Sequence, residues 1–396
     1  MKLQRVDWFD VNGGWDDWSF LKLTTDSGLV GWSEFNQSRG RRGLAAVVKG
    51  LSDLVIGEDP RNVARLSARL YNITQSTTGG LQSLAIGAYE NACLDLKAKS
   101  LGVPVHELFG GALRRSLPVY WSHCGMYRAR HVELFESVIG EPAVRGLDDI
   151  RTLGREVARR GFPALKTNLL LFEAGKPTVV GRGSGPFEMN IEKSIIDKVV
   201  DQLAAFRDGA GPDVGLMMDL NFNYKTEGFR RLARAAEPFD MTWLEMDTHD
   251  AAALASIRRD TRTPIASLEA VLGRRALKPY LDLQAVDVAI VDVVFNGMLE
   301  AFKMAAFLDA YEINVAAHNS HGPLGSLMSA HFCSVIPNFR ILEYDEDEVP
   351  WRRQLLSRPW TIEEGRLTLP EGPGWGADIV EDIARSHPGK YPIAAA

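Results

Sequence analysis

Cysteine is scarce in this chain. Three residues in 396, Cys93, Cys124 and Cys333, are too few and too widely spaced for a disulfide framework or a zinc knuckle. Long apolar runs are missing as well, and none approaches the roughly 18 uncharged residues that a membrane-spanning helix requires. The N-terminal MKLQRVDWFDV lacks the basic-then-apolar order of a secretory leader, so the expected location is the cytoplasm. Charge of one sign is not in excess: 45 Lys and Arg face 51 Asp and Glu, for a formal charge of −6. Basic residues scattered over a mildly acidic chain leave no electrostatic footprint for nucleic acid. Disorder is excluded by composition, since 45% of the residues are hydrophobic. What remains is a soluble globular protein with room for two domains, or for one large barrel with an appendage.

Residues 1–115 read as strands followed by helices. Leu3–Val11 and Phe20–Thr25 are strand-like, and DSGLVGW (Asp26–Trp32) supplies a turn between strands. From Arg41 to Leu101 the spacing is helical, with Leu81, Leu84, Ala85, Tyr89, Ala92 and Leu96 recurring at three and four residues. The module closes at GVPVHELFGG. From residue 116 to 349 the pattern changes to short apolar runs alternating with amphipathic stretches. The runs are PVYWS, PALKTNL, VGLMMDL, MTWLEM, PIASLE, VAIVD, INVAAH and FRILEY. Eight such runs predict an α/β fold of the (β/α)8, or TIM-barrel, kind. GRGSGPF (Gly181–Phe187) reads as a loop insertion, without the lysine and flanking elements of a phosphate loop. Residues 350–396 read as irregular structure returning over the body.

Seven of the runs end in a polar residue able to do chemistry: Lys166, Asp219, Glu245, Glu269, Asp292, His318 and Glu343. After a first interval stretched by the insertion, they recur at the length of one strand, one helix and two turns. That register places them on one rim, the C-terminal face where barrel enzymes carry their sites. Asp219, Glu245 and Glu269, converging from consecutive strands, would repel one another without a cation, and an all-oxygen set suits Mg2+ better than zinc. The competing account makes each an N-cap for the helix that follows. His318 and Asp292 end adjacent strands, as a general base and the carboxylate that orients it would; His321 competes for the base role. Lys166 and Asn168 share a face of their strand, where a cation would hold a carboxylate, and a surface lysine is the alternative. Asn221, two past Asp219, can donate a hydrogen bond into the site. Glu343 is either an acid near a developing enolate or a structural salt-bridge partner. Trp15 and Trp18 line a lid or simply pack, and Arg39–Arg42 is a solvated loop or meets an anionic substrate.

On the motifs LKTN, MDLN, WLEM, SLEA, the VD before a turn and VAAHNSHGPLG, the chain resembles the enolase superfamily in its mandelate racemase-like branch. The resemblance covers essentially the whole length, with ENACLDLKAKSLGVPVHELFGG similar to the branch's capping domain. It implies a modified barrel under an α+β cap formed by the N-terminal region and the C-terminal tail. It implies that Asp219, Glu245 and Glu269 ligate one Mg2+, that His318 and Asp292 form a catalytic dyad, and that Lys166 touches the substrate carboxylate. Asn168, Asn221, Glu343 and His321 are then further substrate contacts. The implied chemistry is α-proton abstraction with Mg2+ stabilising an enediolate, on a small carboxylic acid, in a homo-oligomer. The second, base-forming lysine of the branch's Lys-x-Lys motif is Asn168 here, and an amide cannot accept a proton. A racemase needs a proton-transfer group on each face, whereas one histidine can run a β-elimination. Lys-x-Asn patterns resemble those of acid-sugar dehydratases. The expected reaction is therefore Mg2+-dependent dehydration of a sugar acid, an aldonate or aldarate, to a 2-keto-3-deoxy acid. The rival is an epimerase or cycloisomerase whose second base is Tyr224, His123 or a capping-loop residue. A non-catalytic acid-binding barrel and a metal-dependent hydrolase are the weaker readings.

Overall fold

The computed structural model describes residues 1–37, 39–173, 176–181 and 187–390. The chain opens with an antiparallel sheet of β1 (Leu3–Asn12), β2 (Asp17–Thr25) and β3 (Val30–Glu34), paired in that order. Three helices follow: α1 (Leu44–Val55), α2 (Val63–Ile73) and α3 (Gly80–Leu101). The helical spacing from Arg41 to Leu101 resolves into these three helices. Gly57 and Gly79 both sit at positive φ, a backbone conformation that ends a helix. α3 packs against β3, α1 and α2 and is buried on most of its surface.

Eight parallel strands form the body: β4 (Ser116–Trp121), β5 (Ala164–Asn168), β8 (Gly215–Asp219), β9 (Trp243–Glu245), β10 (Ile265–Ser267), β11 (Val288–Asp292), β12 (Asn314–His318) and β13 (Phe339–Tyr344). β13 pairs with β4, Leu342 opposite Val119 and Tyr344 opposite Trp121, so the sheet closes into a barrel. All eight coincide with the apolar runs, because strands buried on both faces carry near-continuous hydrophobic sequence. The connection after β5 holds a small antiparallel hairpin, β6 (Leu170–Glu173) with β7 (Lys176–Val179). Residues 182–186 of the expected loop insertion lie outside the described residues.

The tail is more regular than its sequence suggests. β14 (Ile362–Glu363) and β15 (Arg366–Thr368) form a hairpin, and β15 pairs antiparallel with the first residues of β4. The tail then crosses to the N-terminal module: Trp375 donates its indole N–H to Trp32 O and its backbone N–H to Asp95 Oδ1 at 3.0 Å, while Lys22 pairs with Glu381. Edge pairing of this kind leaves no local signature, so the sequence reads as irregular. No helix among the described residues is long and apolar enough to cross a membrane.

α3 also grips the barrel. Asn91 donates to Val293 O (3.0 Å) and accepts from Met298 N (2.8 Å), and Glu90 accepts from Leu299 N (2.8 Å). The helix comes so close to the turn after β11 that a Cβ on Gly87 would lie 2.9 Å from both Gly297 N and Phe295 O. Backbone cannot give way as a side chain does. Gly87→Ala is therefore expected to cost about 1–3 kcal/mol, measured as a lower denaturation midpoint; an unchanged midpoint would show that the turn moves aside freely.

Candidate active site

Strand alternation decides what reaches the rim. Inside the barrel, Tyr120, Ala164, Met217, Trp243, Ala266, Ile290, Ala316 and Ile341, one from each strand, belong to a single apolar cluster. Three alanines leave room for two aromatic rings, Tyr120 and Trp243, packed edge to face at 5.7 Å. Two residues further along seven strands, on the same inward face, stand Ser122, Lys166, Asp219, Glu245, Asp292, His318 and Glu343. This apolar floor keeps water from beneath them.

β10 breaks the rule. Two residues past Ala266 comes Leu268, buried and held at φ +94°, and it is the next residue, Glu269, that enters the site. A branched side chain in left-handed backbone costs about 1–3 kcal/mol and persists only where the surroundings impose it. Asp247 imposes it here, its Oδ1 accepting from Ser267 Oγ (2.9 Å) and lying 3.4 Å from Leu268 N. Asp247 escaped the sequence reading, although it stands two past Glu245 in WLEMD. Burial, then Glu269 and Asp219, push its carboxyl up to about 7.

Asp219, Glu245 and Glu269 offer oxygens that all lie within 4.8 Å of one another. Burial pushes Asp219 up, with Lys166 opposing and Glu269 adding to the shift. Glu245 is driven up further, again by burial first, then by its acidic neighbours against Lys166. Glu245 Oε1 is buried with no hydrogen-bond partner among the described residues. Orphaned oxygen, mutual repulsion and an all-carboxylate donor set fit a hard divalent cation.

Lys166 lies between two acids, 3.0 Å from Glu245 Oε2 and 2.7 Å from Glu343 Oε1. Glu343 also accepts from Ser122 Oγ (2.5 Å) and Asn319 N (2.8 Å). Burial raises its carboxyl, but Lys166, His318 and His123 outweigh that and hold it well below the usual range. Both Glu343 oxygens are thus engaged, and the residue lines the cavity. Asn168 lies over Asp219 O at 3.4 Å, and Asn221, at φ +48°, donates its backbone N to Asp219 Oδ1 at 2.7 Å. Both line the cavity.

Asp292 Oδ2 takes two imidazoles, His318 Nδ1 at 2.5 Å and His321 Nε2 at 2.8 Å. Its Oδ1 accepts from Phe295 N, fixing the carboxylate at the head of the short helix Val293–Asn296. Burial would raise Asp292, yet His321 and His318 together hold it far below its ordinary value. His321 Nδ1 meets Asn36 Nδ2 at 3.0 Å. Both of its nitrogens thus have protein partners, and the ring lines the cavity beside His318. His318 Nε2 lies 3.2 Å from Glu269 Oε2. Burial lowers His318, but Glu269 and then Asp292 push it up to about 10. Whatever neutralises Glu269 therefore returns His318 toward a base.

These groups line one cavity of about 840 Å3. Cap residues complete its wall: Trp15 stacks on Tyr127 at 4.2 Å, and Arg41 lies over the Phe295 ring at 4.8 Å. Trp18 is buried beside the Arg352 guanidinium, 5.9 Å from its ring. The Arg39 side chain lies outside the described residues. Tyr224 is absent from the cavity wall; it packs edge-on against Phe229. His123, named among the candidate second bases, lines the cavity; Ser122 and Asp345 were the unmarked members, since a serine after PVYW and an aspartate two past Glu343 carry no motif.

A family model described as the mandelate racemase / muconate lactonizing enzyme N-terminal domain matches residues 16–110, and one described as enolase C-terminal domain-like matches 149–383. The chain belongs to this family. It is 28% identical over 377 residues to a D-xylonate dehydratase of Haloferax volcanii, covering 93% of this chain and 85% of the relative. It is 25% identical over 394 residues to a D-gluconate dehydratase of Thermoproteus tenax, covering 97% and 73%. A crystal structure from Burkholderia xenovorans strain LB400, provisionally described as an L-alanine-DL-glutamate epimerase, superposes with a TM-score of 0.95 at 41% identity, covering 98% and 99%. The same protein has been crystallised with magnesium and fumarate.

Adding Mg2+ at about 100 times its Kd is expected to stabilise the fold by about 2.7 kcal/mol, read as a rise in the thermal midpoint that chelator reverses. Glu245→Gln should abolish most of that rise, and an undiminished Mg2+ response would remove Glu245 from the cation site.

Proposed function

We propose that this member of the mandelate racemase and muconate lactonizing enzyme family dehydrates a sugar acid, an aldonate or aldarate, to a 2-keto-3-deoxy acid. The observation that carries the reading is the pair Lys166 and Asn168 on one strand face, opposed by a single Asp292–His318 dyad. Asn168 cannot take a proton, so α-proton chemistry at that face has no base, which suits elimination better than racemisation. The dehydratase names of relatives aligned over nearly the whole chain support the same class.

His318, its Nδ1 fixed by Asp292, presents Nε2 to the α-carbon and takes the proton there. Lys166, already charged between Glu245 and Glu343, would receive the substrate carboxylate and hold its oxygen in place. A Mg2+ ion held by Asp219, Glu245 and Glu269 would supply positive charge where the carboxylate takes up the electron pair of the broken C–H bond. The apolar floor and the burial of Lys166, Glu245 and Glu343 lower the local dielectric, which strengthens each of these contacts. An epimerase is the competing reading, favoured by the description of the Burkholderia structure at 41% identity.

Proton NMR in D2O separates the two. With Mg2+ and a panel of D-xylonate, D-gluconate and a six-carbon aldarate, a 3-deoxy methylene signal is expected to appear as water is lost. Deuterium at the α-carbon with no such signal would instead assign an isomerase. In the same assay His318→Asn should lower turnover by about 10²–10⁴-fold while the Mg2+-dependent thermal shift survives; full activity would remove His318 from the chemistry.

A further inference from the structure

Hydroxide is a poor leaving group, and dehydration requires a proton for it. His318 is badly placed to be the sole source. Its Nδ1 is committed to Asp292 at 2.5 Å, so a single atom, Nε2, would have to take the α-proton and also deliver a proton to the departing hydroxyl.

A second imidazole–carboxylate pair faces the same cavity. His123 follows β4 in a tight turn at φ +48°, and its Nδ1 lies 2.7 Å from Asp345 Oδ1. The other Asp345 oxygen is 3.4 Å from the Tyr127 hydroxyl. Tyr127 packs on the imidazole at 4.8 Å, and Trp15 from the cap stacks on Tyr127 in turn. No hydrogen bond to His123 Nε2 occurs among the described residues, and the ring lines the cavity with Lys166 and His318. We propose that His123, oriented by Asp345, is the general acid that protonates the departing hydroxyl, separately from proton abstraction by His318. The proposal rests on the dehydration reading above.

Two arguments support it. Burial lowers the imidazolium of His123, but the Asp345 charge and hydrogen bond outweigh it and leave it raised, with Glu343 adding and Lys166 opposing; the shift favours the proton-carrying form that the step needs. Position is the other. β4 and β12 are separated around the barrel by β13 alone, so His123 and His318 stand on one side of the rim. Two groups so placed serve neighbouring carbons more readily than opposite faces of one carbon.

The atoms balance. His318 takes the C2 proton, and the C–H electron pair passes into the carboxylate. As that pair returns to form the C2–C3 double bond, the C3–O bond breaks and the hydroxyl leaves as water with the His123 proton. Ketonisation then places the proton from His318 on C3, and the enol O–H proton goes to solvent, from which His123 is recharged.

The test uses the full chain with Mg2+ in D2O, on whichever of D-xylonate, D-gluconate or the aldarate the unaltered protein converts. His123→Gln is expected to lower water loss by about 10²–10⁴-fold while α-hydrogen exchange stays within a few-fold. Asp345→Asn should show the same split with a smaller loss. The Mg2+-dependent thermal shift, retained in both variants, reports an intact fold and cation site. Water loss at the unaltered rate in His123→Gln, or equal loss of exchange and elimination in both folded variants, overturns the proposal. Failure of the dehydration reading looks different, because the unaltered protein would then exchange or invert the α-carbon without a 3-deoxy product.

Discussion

The site is organised around a concentration of buried negative charge. Asp219, Glu245 and Glu269 come within 4.8 Å of one another, above a layer that is apolar apart from the Tyr120 hydroxyl and the Trp243 indole N–H, the latter 3.4 Å from Glu245 Oε2. Two unit charges at such a distance repel by about 4 kcal/mol at an effective dielectric near 20. Lys166 answers part of this, but it is shared between Glu245 and Glu343. Glu245 and Asp219 remain pushed toward their neutral forms, and Glu245 Oε1 remains unpartnered among the described residues. The same unresolved charge raises His318 through Glu269. Cation affinity and the basicity of the dyad are thus two consequences of one electrostatic arrangement.

The N-terminal module does more than cover the cavity. Glu34, at the end of β3, accepts from Gly322 N and Gly325 N at 2.5 and 2.7 Å. That puts an anion at the positive end of the helix Pro323–Val335 and fixes the segment carrying His321. Asn36 then bonds His321, which bonds Asp292, which bonds His318. From the other side α3 clamps the turn after Asp292 through Glu90, Asn91 and the bare surface of Gly87. The dyad is consequently oriented from the cap as well as from its own strands, and the cap's docking is a condition for its geometry.

Much of this was legible before any coordinates. Buried parallel strands write themselves as apolar runs, and a period of two carries the inward face from the apolar layer to the rim, so Lys166, Asp219, Glu245, Asp292, His318 and Glu343 could be named in advance. Glu269 was named too, though it breaks the period and reaches the site through the strained Leu268. Where pairing partners are distant, legibility ends. The β15 edge pairing and the β6–β7 hairpin depend on neighbours that the local sequence does not mark. Asp345 looks like one more acid in EYDEDE until it is seen 2.7 Å from His123.

By itself, then, the sequence determined the barrel, the helices of the cap and the residue types on the rim, because each is encoded in local periodicity and polarity. Tertiary structure alone decided which of those side chains share an oxygen or a proton. Glu343 became the partner of Lys166 and Ser122, and His321 came to share Asp292 Oδ2 with His318. His123 acquired a carboxylate 222 residues away. The physical reason is the same in each case: burial makes a polar group's properties depend on its few nearest neighbours, and closing the barrel chooses those neighbours.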